Sequence, residues 1–513
     1  LAVGASSDAN GARPLADAAN HARTDDEDIA ALAKGGRTNI FGFLLRLAAR
    51  LPFLFIAGRL YGADVLGRFA YAILVVEFAA QLATMGLKRG LAGELSGTER
   101  PHGHIVAEAM LVTLLASLLA AGLLILMPQA MFPNSGINGL DRLLPLIIIA
   151  VAGSDVALAA CAYHFDIKAT VRARSIIEPW AISAGALGFY FYSVRDGLIL
   201  AYVISMILAL IASLVPLVRH YGIPRGWTPH WNVMAKLTRH NLPLAAADAV
   251  EWGSRRLDLA ILGLFATPYI VGIYYVAQQV ASLPQKLKTS FEPVLGPVIT
   301  RNLAENNLPG IARQVSQVGF WIIAAQAGIA LALGIPGEAV MGLVGPNFVG
   351  GTGALAFLLA AEVVAATAVV SESALVYMAR LRNLAISLAM IAVQVCLSFA
   401  LIMAARRSGF SPLVVAAAPA LALTIALGLS SLVKAKLLSR LLKAPVNAWR
   451  WALLWAAAAA TLAGSAFVAL PPHMEWVELV FGVPVVLGVY ALVIWRRGFG
   501  PEDRALFRKA PKP

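Results

Sequence analysis

IVAEAMLVTLLASLLAAGLLILM, residues 105–127, carries a single charge, Glu108, in 23 positions. At 1.5 Å per residue such a helix is roughly 35 Å long, enough to cross a hydrocarbon core of about 30 Å. Working outward from this stretch, about fourteen comparable spans follow, near 39–60, 67–87, 105–127, 143–165, 176–193, 197–218, 241–265, 269–290, 314–335, 352–377, 383–404, 411–433, 448–470 and 476–495. Lipid offers no partner to a bare backbone, so each span must satisfy its own polar groups as a helix. The fold class is therefore an all-α polytopic membrane protein.

Composition agrees. Of the 513 residues, 59% are hydrophobic and 13% charged, with a mean hydropathy of +0.75; soluble domains run nearer to about 45–50% and about 25%. The net charge of +13 is read as loop bias and not as nucleic-acid binding. With a cytoplasmic N-terminus, 29 of the 41 Lys and Arg residues fall on cytoplasmic segments and 4 on the opposite loops. Such asymmetry places both termini inside, with Arg406-Arg407 as the local exception. Cys161 and Cys396 both lie in apolar runs, and no disulfide framework, metal site or cofactor motif is expected. Residues 1–33, with the acidic run Asp25-Asp26-Glu27-Asp28, lack the basic and apolar regions of a signal peptide and are expected to form a disordered cytoplasmic tail.

A weak internal repeat organises the spans. Leu60-Tyr61-Gly62-Ala63-Asp64-Val65-Leu66-Gly67-Arg68-Phe69-Ala70-Tyr71-Ala72 links the first span to the second, and Phe265-Ala266-Thr267-Pro268-Tyr269-Ile270-Val271-Gly272-Ile273-Tyr274-Tyr275-Val276-Ala277 does the same for the seventh and eighth. Each follows a basic, polar lead-in, Arg37-Thr38-Asn39 and Arg239-His240-Asn241. Two six-helix repeats, 34–218 and 241–433, are expected. A basic cytoplasmic connector, 219–240, would join them, and 434–513 would add two C-terminal helices and a tail. Repeats of this kind build transporters.

Lys34-Gly35, the amphipathic first span, RLYGADVLGRFAYA and TMGLKRGL resemble the opening of bacterial oligosaccharide flippases of the multidrug/oligosaccharidyl-lipid/polysaccharide exporter superfamily. LTRHNLPLAAADAVEWGSRRLDLAILGLF resembles the start of that family's second half. The resemblance spans about residues 34–440 and is sharpest over 34–95. It implies movement of undecaprenyl-diphosphate-linked oligosaccharide between leaflets of the bacterial cytoplasmic membrane, by alternating access through a cavity between the halves. It further implies a polysaccharide polymerase and export machinery as partners.

Arginines within apolar spans carry the site expectation. A guanidinium at mid-membrane costs at least about 2.5–3.5 kcal/mol, so it faces a cavity or a partner. Arg46 and Arg50, spaced i, i+4, share a helix face and suit bidentate contact with a diphosphate; Arg255 and Arg256 would form a second clamp. Asp248, Glu251, Arg255 and Asp258 follow at i, i+3, i+7 and i+10, again one face. Two readings stay open for these acids: a stripe of ion pairs, or H+ or Na+ coupling by Asp248 or Glu251. Arg59 and Arg68 are expected to snorkel at the periplasmic edge. Glu77, Asp155, Glu178, Glu362 and Glu372 are further intramembrane acids, some of which must pair with arginines. Tyr274, Tyr275, Gln278 and Gln279 offer a polar, aromatic face, and Pro284 is expected to bend or break the eighth span.

Other classes are weaker. No GxxxxGK[ST] loop supports an ATP-driven pump. A membrane glycosyltransferase or polymerase would need catalytic clusters that the short loops 128–142 and 336–351 lack. A multidrug antiporter would want uncompensated carboxylates where this chain has arginines. A flippase of the peptidoglycan lipid precursor shares the diphosphate handle and is the nearest alternative.

Overall fold

The computed structural model describes residues 51–97, 99–288, 299–471, 474–501 and 503, with the side chains of 285–288 left aside. Among the described residues every ordered element is helical. The principal helices are α1 (Gly62–Ala83), α2 (Leu87–Ser96), α3 (His102–Leu126), α4 (Ile147–Tyr163), α5 (Glu178–Tyr190), α6 (Gly197–Tyr221), α7 (Trp231–Ser254), α8 (Leu257–Phe265), α9 (Pro268–Lys288), α10 (Leu308–Gly334), α11 (Thr352–Met378), α12 (Arg380–Arg407), α13 (Pro412–Leu442), α14 (Ala452–Val468) and α15 (Val483–Val493). Nine helical stretches among the described residues are long and apolar enough to cross a membrane. The others are shorter or more polar: α7 carries Lys236, Arg239, His240, Asp248 and Glu251, and α8 is only nine residues long. A helix lies at each span read from the sequence, the first being described only from Leu51.

Local chemistry sets the breaks. Gly62, at φ 80°, turns the chain from the π-helical end of the first span, Ala57–Tyr61, into α1. Met85 at φ 50° and Gly86 at φ 76° stop α1 and redirect the chain into α2. Glycine tolerates that left-handed conformation without a Cβ penalty, whereas methionine must be held there by its surroundings. The eighth span does not break at Pro284: α9 continues to Lys288, and the Pro284 carbonyl accepts a hydrogen bond from Gln326 Nε2 at 3.1 Å.

Helices α3, α4, α5 and α6 pack together, as do α10, α11, α12 and α13, while α14 and α15 lie against α10. The two larger groups meet where α1 packs along α9. There the repeated segments touch each other. A methyl group on Gly67 would sit 1.8 Å from the Pro268 carbonyl oxygen, and one on Gly272 would sit 1.9 Å from that of Ala63. One continuous apolar core, from Leu54 through Phe69, Tyr274 and Leu358 to Ala420, crosses this contact.

At the same end, short loops clasp the opposite group. Asn134 Nδ2 donates to the carbonyls of Gly263 and Ala266, both at 2.9 Å. Arg59 Nε donates to the Leu343 carbonyl at 3.1 Å, beside Val344 and Phe348, which close over Gly58. Arg68 does not snorkel. Its side chain is buried in an ion pair with the fully buried Asp141 and lies 4.5 Å over the Phe132 ring. A partner was available within the protein, so water was not needed. This apolar-loop end is tightly closed.

Candidate functional site

Away from that closed end, the contact between the groups changes character and becomes ionic. Arg89, just beyond the Met85-Gly86 break, places Nε 2.6 Å from Asp248 Oδ1 and Nη2 2.5 Å from Glu251 Oε2. Glu251 also receives Arg255 Nη2 at 3.2 Å. Arg256 Nη1 reaches across to Glu77 Oε2 on α1 at 2.7 Å, with its guanidinium 4.3 Å over the Trp252 ring. Tyr202 Oη donates to the other Glu77 oxygen at 3.2 Å. Helices α1, α2 and α6 thus contribute from one side and α7 with its end from the other.

Lys88 points a different way from Arg89. Its Nζ lies 2.9 Å from Asp155 Oδ2, and Arg174 grips the other oxygen of Asp155. Arg174 also bonds Ser154 Oγ at 2.7 Å and Glu178 Oε2 at 2.9 Å. It sits in a π-helical stretch, Val171–Ile177, a geometry frequent at functional sites. The side chains of Lys88, Arg89, Arg255 and Arg256 are 43, 50, 47 and 40% exposed. These four cations are neutralised by carboxylates yet remain partly exposed. An anion could approach them and take over hydrogen bonds that carboxylates now hold.

The residues singled out from sequence divide. Asp248, Glu251, Arg255 and Arg256 converge on this network. Asp258 does not, because α7 ends at Ser254 and a turn at Arg255-Arg256 intervenes before α8. The single face expected for Asp248 through Asp258 therefore breaks after Arg255. Asp258 is fully buried, accepting from Tyr274 Oη at 2.6 Å and from Gln278 Nε2 at 3.1 and 3.2 Å. Arg46 and Arg50 lie outside the described residues. Glu372, another intramembrane acid, pairs with the buried Lys434 at 3.0 Å.

Lys88 and Arg89 were missed as site residues, being read as cytoplasmic loop charges. The available signal was their position in Thr84-Met85-Gly86-Leu87-Lys88-Arg89, where a glycine redirects the chain and aims two cations inward. No group of three or more His, Cys, Asp or Glu side chains among the described residues could hold a metal ion.

Comparison with known proteins fits this architecture. Residues 56–309 match the family model described as polysaccharide biosynthesis protein. Among solved structures, the fold is similar to the lipid II flippase MurJ in an inward closed conformation, with a TM-score of 0.59 at 11% identity, covering 89% of this chain and 99% of that one. It is also similar to an inward-facing multidrug resistance MATE family transporter of the same superfamily, with a TM-score of 0.60 at 12% identity over 78% of this chain and 96% of that one. The chain thus shares its fold with members of the multidrug/oligosaccharidyl-lipid/polysaccharide exporter superfamily, and just under half of its sequence matches a polysaccharide-biosynthesis family. A third member of similar fold, from Pyrococcus furiosus, is described as having a binding pocket of reversed polarity; it gives a TM-score of 0.54 at 11% identity over 82% of this chain and 96% of that one. No curated protein sequence matches the chain. At such identities the structural likeness carries the fold alone, and the exporter-superfamily resemblance read from RLYGADVLGRFAYA and TMGLKRGL is borne out.

Proposed function

We propose that this protein flips undecaprenyl-diphosphate-linked oligosaccharide repeat units across the bacterial cytoplasmic membrane, for O-antigen or exopolysaccharide synthesis. The observation that carries the reading is the set of half-exposed cations, Lys88, Arg89, Arg255 and Arg256, at the seam between the helix groups. A diphosphate is matched by guanidinium groups, which offer paired donors in a fixed plane. Glu77, Asp155, Asp248 and Glu251 hold these cations. An anionic cargo would replace those contacts, so binding and rearrangement of the seam are linked. A cationic drug would instead meet acids already paired, which disfavours the antiporter reading.

The closed apolar-loop end and the partly exposed cations suit a state that receives cargo from the basic, cytoplasmic side, with both termini on that side. The two groups of helices would act as the 34–218 and 241–433 halves, joined by 219–240. Arg46 and Arg50 would add to the cation set from the first span. H+ or Na+ coupling through Asp248 or Glu251, and delivery to a separate polymerase and export machinery, complete the proposal.

The test is transport in proteoliposomes. Lipid-linked oligosaccharide and peptidoglycan lipid precursor would be compared for wild type and for Arg50→Ala, Arg89→Ala, Arg255→Ala and Arg256→Ala, each with its Lys counterpart. Loss of at least tenfold in the alanine variants, with partial recovery by lysine, supports a cationic handle. Unchanged transport in all four means that the arginines are counter-ions of the acids only. Preference for the peptidoglycan precursor would reassign the substrate.

A further inference from the structure

We propose that Lys168, Arg172, Ile176 and Trp180, on the stretch leading into α5, form a binding site for an anionic phospholipid. The headgroup phosphate would rest on the two cations and an acyl chain along the two apolar side chains. The site is separate from the seam between the helix groups and independent of what is transported.

The stripe arises from the local winding. The chain is α-helical over Ile167–Thr170, π-helical over Val171–Ile177, and α-helical again in α5. A step of four residues overruns one α-helical turn of 3.6 residues. In the π-helical stretch, with its wider i→i+5 pattern, the same step falls short. The two offsets oppose each other and keep 168, 172, 176 and 180 near one line. Arg174, between them, turns inward to Asp155 and Glu178. The stripe itself faces out: Lys168 and Arg172 are exposed, and Ile176 and Trp180 are 48 and 55% exposed.

Charge is what distinguishes this stripe from ordinary lipid-facing surface. The cations of the seam all meet carboxylates, whereas Lys168 and Arg172 make no ion pair or side-chain hydrogen bond among the described residues. The nearest acid, Asp166, is engaged by His220 Nε2 at 3.1 Å and by the Ala169 amide at 3.1 Å. An open pocket of ≈ 340 Å³ lies between the two cations, lined also by Ile167, Val171 and Ile176. Two cations one turn apart beside a pocket, neither in an ion pair and with Asp166 acting on Arg172 only through space, complement a phosphate. The apolar half continues the fit. From Lys168 to Trp180 a helix rises roughly 18 Å, close to one leaflet of a core about 30 Å thick.

The test uses the full chain in nanodiscs doped with brominated lipid, reading Trp180 fluorescence as the difference between wild type and Trp180→Phe. Brominated phosphatidylglycerol is expected to quench Trp180 at least threefold more than brominated phosphatidylcholine at the same fraction. Lys168→Gln/Arg172→Gln should remove that preference and leave the phosphatidylcholine signal in place. Equal quenching by both lipids in wild type, or a preference that survives in the double variant, overturns the site. If inorganic phosphate alone abolishes the preference, the site takes a bare anion and the lipid assignment fails. Should Trp180→Phe or the double variant not fold, lipid retained by wild type and by Arg172→Gln in native mass spectrometry decides instead. Selective retention of phosphatidylglycerol that falls severalfold in the variant is expected, and equal retention overturns the proposal.

Discussion

Gly67 and Gly272 hold the two helix groups together backbone to backbone. The clash a methyl would make at each is with a carbonyl of the other's segment, 1.8 Å from Pro268 O and 1.9 Å from Ala63 O. The two contacts interchange under the same shift that lays residues 60–72 on 265–277. The repeat is therefore a piece of self-complementary surface as well as a sequence pattern. Only residues without a Cβ allow α1 and α9 to approach this closely.

Gly67→Ala and Gly272→Ala should each force α1 from α9. Overpacking costs typically about 1–3 kcal/mol, and here the obstacle is backbone, which cannot rotate aside. Lower thermal stability in detergent is expected for both variants, with the pair together losing less than the sum, because one separation relieves both clashes. Additive losses would mean that the contacts are independent.

Asn134 makes the corresponding test at the closed end. Its amide serves the carbonyls of both Gly263 and Ala266. Asn134→Asp keeps the size but removes the donor, and two carbonyls lose their partner at about 1 kcal/mol or more. With Cys161 and Cys396 replaced by serine and a cysteine placed at Ala266, labelling by a membrane-impermeant thiol reagent should rise roughly tenfold in the variant, since about 1.4 kcal/mol is tenfold in an equilibrium. An unchanged rate would show that apolar packing alone shuts this end.

Asp155 should be among the more sensitive acids. Lys88 and Arg174 converge on its two oxygens, and its side chain is 10% exposed. Asp155→Ala leaves Lys88 without its carboxylate and Arg174 with that of Glu178 alone, a loss expected to fall below the roughly 3–5 kcal/mol of fully buried pairs because Lys88 is half exposed. Asp155→Asn retains hydrogen bonding and should fall between. Lys88→Gln combined with Asp155→Asn should recover part of the stability. Thermal unfolding followed by size-exclusion profile would show the order.

Much of this fold was legible from hydropathy, because lipid permits few alternatives to a helix and each span is near its required length. The seam between the groups was legible only in part. Glu251 and Arg255 lie one turn apart and meet as helical spacing allows. Asp258 was placed wrongly because nothing in Ser254-Arg255-Arg256-Leu257 marks a break; there is no glycine or proline at those positions. Arg68 was misjudged for a different reason. Its partner, Asp141, is 73 residues away, and only the packed structure brings them together. Arg89 likewise finds Asp248 and Glu251 across long separations. Local spacing reveals pairs within one helix and is silent on pairs between helices.

Asp503 anchors the end of the described chain and gives a pH test. Its carboxylate receives Arg450 Nη1 at 2.5 Å, Trp321 Nε1 at 2.9 Å, Gln317 Nε2 at 3.2 Å and the Gly500 amide at 2.9 Å, while the Arg450 guanidinium lies 3.9 Å over the Phe320 ring. Burial alone would raise the Asp503 carboxyl, but the hydrogen bond from Arg450 and those from Gly500 and Trp321 outweigh it and hold it below the usual carboxylate range. A carboxyl depressed in the folded state stabilises that state above its unfolded value, about 3.9. The contribution is lost as pH falls through the folded value. The anchor should therefore hold at pH 5 to 7 and release only below about pH 4. Hydrogen exchange at the Gly500 amide, corrected for the intrinsic rate, should show protection that collapses in that acid range. In Asp503→Asn the amide should exchange severalfold faster at pH 7, with the difference from wild type vanishing as the pH drops below the transition. A protection profile that is flat with pH in wild type would mean that the charge of Asp503 does not hold the tail.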